Sequence, residues 1–202
     1  MKIGLLHPGE MGAAVGDVLV GRGHEVLWAS EGRSNTTRAR AAAFADVGTA
    51  GEVAAGADLI VSVCPPHAAL DVAGRVAPFE GIYLDANAVS PQTARQLAAL
   101  FPRYVDGGIV GGPPREPGTR LYLSGPLAAD AASVFAGSLL EPRVVSDASA
   151  LKMTYSAWSK GSAALLLATR EVAERYGVGE ALAAEWADSL PELQARLAHA
   201  ER

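Results

Sequence analysis

Short aliphatic runs alternate with Ala-rich stretches through the first three quarters of this sequence, and few folds accommodate that alternation. Parallel strands cannot be joined by tight hairpins, so each needs a crossover, usually a helix, and the repeat reads as βαβ units around a parallel sheet. Strands are expected at Ile3–Leu6, Glu25–Ala29, Leu59–Val63, Ile82–Asp85, Tyr104–Asp106, Leu121–Ser124 and Arg143–Val145. Helices are expected at Glu10–Arg22, Asn35–Ala45, His67–Val76, Pro91–Leu100 and Ala128–Leu139. Ser90 followed by Pro91 is the clearest helix start, a capping hydroxyl before a proline in the first helical position.

After Val145 the pattern changes. Ser146-Asp147 can cap a helix that runs without proline to Tyr176, where Gly177 supplies a stop. At 1.5 Å per residue this is a rod of roughly 45 Å. A shorter helix follows around Glu180–Asp188, Leu190-Pro191 breaks it, and the last residues begin another turn or two. The boundary near Ser146 divides the chain into residues 1–146, a sheet domain, and 147–202, an all-helical segment, with a truncation after Arg202 left open. That segment is too small to close a core alone, so its stripe of Leu151, Trp158, Leu165 and Val172 needs a covering surface. A homodimer through these helices is the expectation.

A net charge of −5 gives no long-range attraction to phosphate backbones or anionic lipid, so neither nucleic acid nor a membrane is an expected partner. The run Ala163–Ala168 is far short of the roughly 20 apolar residues a span requires. One cysteine, Cys64, and a start that passes from Met1 directly into a strand without a leader point to the cytoplasm. His7, His24 and His67 lie in separate strand-to-helix regions without ligand spacing, so no metal site is expected.

The first strand runs into Leu6-His7-Pro8-Gly9-Glu10-Met11-Gly12 and then a helix, an arrangement that presents backbone N–H groups to a pyrophosphate. It reads as a variant of G-x-G-x-x-G in which His7 replaces the first glycine and Pro8 the intervening residue. A residue before proline is biased to extended geometry, so His7 is expected to leave the strand without a positive φ. The fold expected is therefore α/β, a Rossmann-type doubly wound and mostly parallel sheet followed by an all-helical C-terminal segment beginning with a long helix. The second strand ends in Ser30-Glu31-Gly32-Arg33-Ser34, where such folds read the adenine ribose. Ser30 belongs to this loop, Arg33 and Ser34 could hold a 2′-phosphate with Arg38 as helper, and Glu31 could instead bind a free 2′-hydroxyl. NADP is the preferred cofactor, with NAD the alternative. Lys152 lies inside the long helix with Tyr155, Ser156 and Ser159 on one face; it reads either as a solvated lysine or as a proton donor in a cleft.

Together the turn ending Gly9-Glu10-Met11-Gly12, the Gly23-His24-Glu25-Val26 entry to the second strand and Asp85-Ala86-Asn87-Ala88-Val89-Ser90-Pro91 resemble the β-hydroxyacid dehydrogenase family, which includes 3-hydroxyisobutyrate and 6-phosphogluconate dehydrogenases and is similar to imine reductases. The stretch Leu151–Val178 resembles a phosphogluconate-dehydrogenase-like branch. The resemblance implies that His7, Pro8, Gly9, Glu10, Met11 and Gly12 line the cofactor turn, that Cys64-Pro65-Pro66 lies beside the nicotinamide, and that Asn87 contacts nicotinamide or substrate. It also implies substrate contacts from Gly111 and Gly112, with Val110 in the family's serine position, and a catalytic Lys152 as general acid/base. Four residues later Ser156 stands where the family has asparagine, so the substrate is held differently. The implied activity is hydride transfer between NADP and a small hydroxy acid or its oxo or semialdehyde form. Imine reduction and a non-catalytic dinucleotide-binding or assembly role are the alternatives.

Overall fold

The computed structural model describes residues 1–193. The strands are β1 (Lys2–Leu6), β2 (Glu25–Trp28), β3 (Ala45–Asp46), β4 (Leu59–Ser62), β5 (Ile82–Asp85), β6 (Tyr104–Val110), β7 (Thr119–Ser124) and β8 (Leu140–Val144). They form one sheet in the order β3-β2-β1-β4-β5-β6-β7-β8, parallel except for the β6–β7 hairpin. The order reverses between β1 and β4, where Leu6 pairs with Ser62 at the carboxyl ends. In open sheets of this kind the crevice beyond such a switch point is where ligands bind.

Side chains alternate across the sheet with the strand period of two. Ile3, Leu5, Leu59, Val61, Ile82 and Leu84 face one layer of the core, while Leu6, Ile60 and Tyr83 face the other. The first layer is covered by α1 (Glu10–Gly21) and α6 (Ala128–Phe135), through residues such as Val15, Leu19 and Phe135. The second is covered by α3 (Ala50–Gly56), α4 (Ala69–Gly74) and α5 (Pro91–Ala98), through Val53, Val72 and Leu97. Each fully buried aliphatic side chain contributes about 1.5–3 kcal/mol. Two-faced burial therefore holds the switch point rigid.

Some boundaries differ from the sequence reading. The helix expected over Asn35–Ala45 ends at Arg40, as α2 (Asn35–Arg40), because Ala45 and Asp46 pair with Leu27 and Trp28. The helix α3 was not expected, although Thr49 and Glu52 form a reciprocal capping box at its start. Strand β6 continues to Val110, since its far end pairs with β7. Pro66–Ala68 form a 3₁₀ turn ahead of α4, which shortens the expected His67–Val76 helix.

The chain divides into two compact units, Met1–Met153 and Thr154 onward. The long helix α7 (Ala148–Arg175) begins in the first. Its opening turn is fixed there: Asp147 Oδ1 accepts from Ala150 N at 2.8 Å, Ala148 N donates to Ser124 Oγ at 2.9 Å, and Ser149 N donates to Asp106 Oδ2 at 2.8 Å. In the second unit α7 ends at the expected Gly177, whose φ of +68° lets Val178 N return to Ala173 O. The helix α8 (Gly179–Ser189) follows. Trp158, Leu165 and Val172 of the predicted stripe are 66%, 70% and 53% exposed. The helical turns expected after Pro191 lie largely outside the described residues. No helix among the described residues is long and apolar enough to cross a membrane.

Candidate functional site

At the carboxyl end of β1 the chain turns sharply. Gly9 N donates back to His7 O at 2.7 Å, and α1 starts at Glu10 with Gly9 as an N-cap that offers no side chain. A Cβ added at Gly12 would lie 2.3 Å from His7 O, so only glycine allows the first turn of α1 to close on that carbonyl. The same closure overturns the expected extended geometry of His7. Its φ is +64°, a left-handed conformation costing a non-glycine residue about 1–2 kcal/mol. The bias before proline is outweighed because the His7 carbonyl must face both Gly9 N and Gly12.

Two cavities open from this turn. One, of about 320 Å³, is lined by Gly9, Glu10, Met11, Gly12, Thr37 and the Cys64-Pro65 segment among others. The other, of about 240 Å³, lies against Ala29, Glu31, the Thr49–Gly51 start of α3 and Arg75 after α4. His7 and Arg33 line both. Arg33 Nη1 lies 2.9 Å and 3.0 Å from the two ring nitrogens of His7, and Arg33 Nε is buried without a hydrogen-bond partner. Burial, then the Arg33 and Arg75 charges, hold the His7 imidazole down at about 4, so it is neutral at physiological pH. Burial and Arg75 likewise lower the pKa of Arg33. Cations crowded around a concave, partly desolvated junction make a place suited to an anion.

The other residues of the expected cofactor loop have local work. Ser34 caps α2 by accepting from Thr37 N at 3.2 Å. Ser30 N donates to Asp46 Oδ1 at 3.2 Å and Ser30 O accepts from Arg38 Nη2 at 2.8 Å. Ser30 and Arg38 thus brace the loop. Sequence reasoning missed Arg75, Thr37 and the start of α3; the Thr49-x-x-Glu52 box was the one readable signal for the last.

On the far side of the switch point a buried polar cluster holds the Cys64-Pro65-Pro66 segment. Asn87, 3% exposed, accepts from Cys64 N at 2.5 Å and donates to Ser62 Oγ at 3.1 Å and to Asp85. Both of its N–H bonds are used within the fold, so the Asn87 amide braces this segment. Burial pushes the Cys64 thiol up to about 11, which keeps it protonated.

Asp85 is fully buried, and its Oδ2 has no partner. Burial, with Asp106 adding like charge against the Asn87 hydrogen bond, pushes its carboxyl up to about 7. A raised carboxyl stabilises the fold fully below its unfolded value near 4 and loses that contribution as pH rises through about 7. His7, with its lowered pKa, changes stability in the opposite sense across an overlapping range. The readout is therefore a comparison at each pH: Asp85→Asn should gain on the natural protein by roughly 3 kcal/mol as pH rises from 4 to 8. Parallel melting curves for the two proteins across that range would remove Asp85 as the titrating group.

Lys152 packs against β6. A Cβ at Gly108 would meet Lys152 Cβ at 3.0 Å, so glycine on β6 admits the lysine stem, and Nζ donates to Ile109 O at 2.6 Å. Gly111, with φ +120°, and Gly112, whose carbonyl accepts from Thr119 Oγ1 at 2.7 Å, follow on the same hairpin. Ser156 lies on α7 in the second unit and is half-buried. No group of three or more His, Cys, Asp or Glu side chains comes together among the described residues.

Residues 2–99, which contain the turn and both cavities, match the family described as NADP oxidoreductase coenzyme F420-dependent. The whole chain superposes on conserved protein MTH1747 of unknown function, whose structure reveals similarity with 3-hydroxyacid dehydrogenases, at TM-score 0.78 and 27% identity, covering 100% of this chain and 81% of that one. The fold is thus similar to that of 3-hydroxyacid dehydrogenases. The chain also shares its fold with Mycobacterium tuberculosis 3-hydroxyisobutyrate dehydrogenase (TM-score 0.66, 22% identity, 88% of this chain and 66% of that one). It shares it as well with an imine reductase from Aspergillus terreus (TM-score 0.73, 22% identity, 98% and 74%). A curated relative, an uncharacterized 28.5 kDa protein in the 7S RNA 5′ region of Methanothermus fervidus, is 32% identical over 128 residues, which are 60% of this chain. The chain spans 50% of that relative's length.

Proposed function

We propose that this chain is an NADP-dependent oxidoreductase that moves a hydride between nicotinamide and a small hydroxy acid or its oxo or semialdehyde form. The observation that carries the reading is Arg33, whose Nε is buried without a partner at the junction of the two cavities. The residues fit the cofactor: N–H groups from Glu10 to Gly12 would hold the pyrophosphate, Arg33 and Arg75 the 2′-phosphate, and Glu10, Met11 and Cys64-Pro65 would form the walls. Bound NADP supplies or accepts the hydride. The chain's own part is to hold the turn, to exclude water with Cys64-Pro65, and to move a proton at Lys152 Nζ.

Lys152 gives its proton to the oxygen of an oxo substrate, or takes it from a hydroxyl, and the Ile109 carbonyl holds the ammonium ready. Gly111 and Gly112 present main-chain N–H groups to a carboxylate. Residues 147–202 serve substrate binding and a homodimer, supported by the exposed Trp158, Leu165 and Val172. The protein works in the cytoplasm, with Cys64 as a free thiol.

Removing the guanidinium tests the cofactor half. Arg33→Ala should weaken NADP binding about 10- to 100-fold while changing NAD binding little, because a charge-assisted bond to phosphate is worth about 1.5–3 kcal/mol. Equal losses for both dinucleotides in a fluorescence titration would remove the 2′-phosphate from Arg33. A second reading, imine reduction, is favoured by the fold shared with imine reductases. Cyclic imines turning over faster than every short oxo acid would select it.

A further inference from the structure

The first position of the dinucleotide turn carries a side chain where the general motif has none. His7 accepts a left-handed backbone to do so, and a glycine there would adopt the same φ without strain. What the imidazole adds is a contact: Arg33 Nη1 sits 2.9 Å and 3.0 Å from its nitrogens, and these two residues alone are shared by the linings of both cavities.

We propose that His7 is a positioning residue for cofactor choice, holding the Arg33 guanidinium across the cavity junction so that its remaining N–H groups meet a 2′-phosphate. This rests on the reading that the groove takes NADP. An imidazolium has no acceptor, so the arrangement requires a neutral ring. The ring is neutral, because burial and the facing charges of Arg33 and Arg75 hold its pKa at about 4. A long arginine ordered before binding loses less freedom when the phosphate arrives. NAD gains nothing from that ordering, so the effect falls on the ratio of the two affinities.

If His7 acts through Arg33, the two must be coupled; if the ring is itself a phosphate ligand, they must act independently. The experiment measures Kd for NADP and NAD by calorimetry in the natural protein, His7→Gly, His7→Asn, Arg33→Ala and the His7→Gly/Arg33→Ala double variant. His7→Gly should lower the NADP preference about fivefold. Asn tolerates a left-handed φ and keeps an acceptor, so His7→Asn should recover part of that loss. In the Arg33→Ala background His7→Gly should change the preference no further. An unchanged preference in His7→Gly, an equal loss for both dinucleotides, or the same loss with and without Arg33 would each overturn the proposal. A natural protein that binds neither dinucleotide refutes the groove reading and the inference with it. Arg33→Ala lowering the preference while His7→Gly does not would overturn the inference alone.

Discussion

Lys152→Met should lower kcat/KM about 10²- to 10⁴-fold with NADPH and the best substrate from a panel of short oxo acids, the range expected for losing a proton-transferring group. Methionine keeps the stem that packs over Gly108, so the protein should fold and still bind NADPH. The loss should fall mainly on kcat, since Nζ is proposed to act on the reacting oxygen and not on cofactor affinity. The structure supports the placement: the stem is held between β6 and the first turn of α7, and the donor lies 2.6 Å from the Ile109 carbonyl. Steady-state kinetics of the two proteins check it, and unchanged turnover in the variant would take Lys152 out of the mechanism.

Gly12→Ala should be the most damaging single-methyl change in the cofactor half. The added Cβ would lie 2.3 Å from His7 O, and that oxygen already accepts from Gly9 N at 2.7 Å. Either α1 moves off the strand or the carbonyl rotates, and both outcomes dismantle the turn. Overpacking against backbone costs about 1–3 kcal/mol, so a melting temperature lower by several degrees is expected, with NADP affinity down by an order of magnitude or more. Gly9→Ala is the control. Nothing stands within 4 Å of its Cβ and its φ is −68°, so the fold should hold, and any loss of NADP affinity then reports phosphate approach at that backbone. A Gly12→Ala protein as stable as the Gly9→Ala one would contradict the packing described here.

Strands and principal helices were legible because they are periodic and capped. Ser90 caps α5 with Pro91 in the next position, and Gly177 ends α7 with the expected left-handed φ. The segment between β2 and β4 was not. A two-residue strand and a seven-residue helix built of Ala, Gly, Glu and Val carry too few apolar positions to show a period, although the Thr49–Glu52 box was readable. For the candidate site, the turn and Arg33 could be picked out because they follow strand ends where this architecture binds ligands, and Lys152, inside α7, through the resemblance. Arg75 could not, since only the βαβ crossing brings the end of α4 to the loop after β2. Nor could the backbone of His7, where a local preference before proline yields to the packing of Gly12. The partners of Asn87 were not legible either, since only the folded sheet brings Ser62, Cys64 and Asp85 around its amide.

A crystal structure with NADPH bound tests the central claim most directly. The pyrophosphate should lie on the N–H groups of Glu10 to Gly12, the 2′-phosphate on Arg33, and the nicotinamide between Cys64-Pro65 and the Lys152 side of the sheet. A chain that takes up no NADPH at saturating concentration, or that holds the adenosine end away from Arg33 and Arg75, would contradict it.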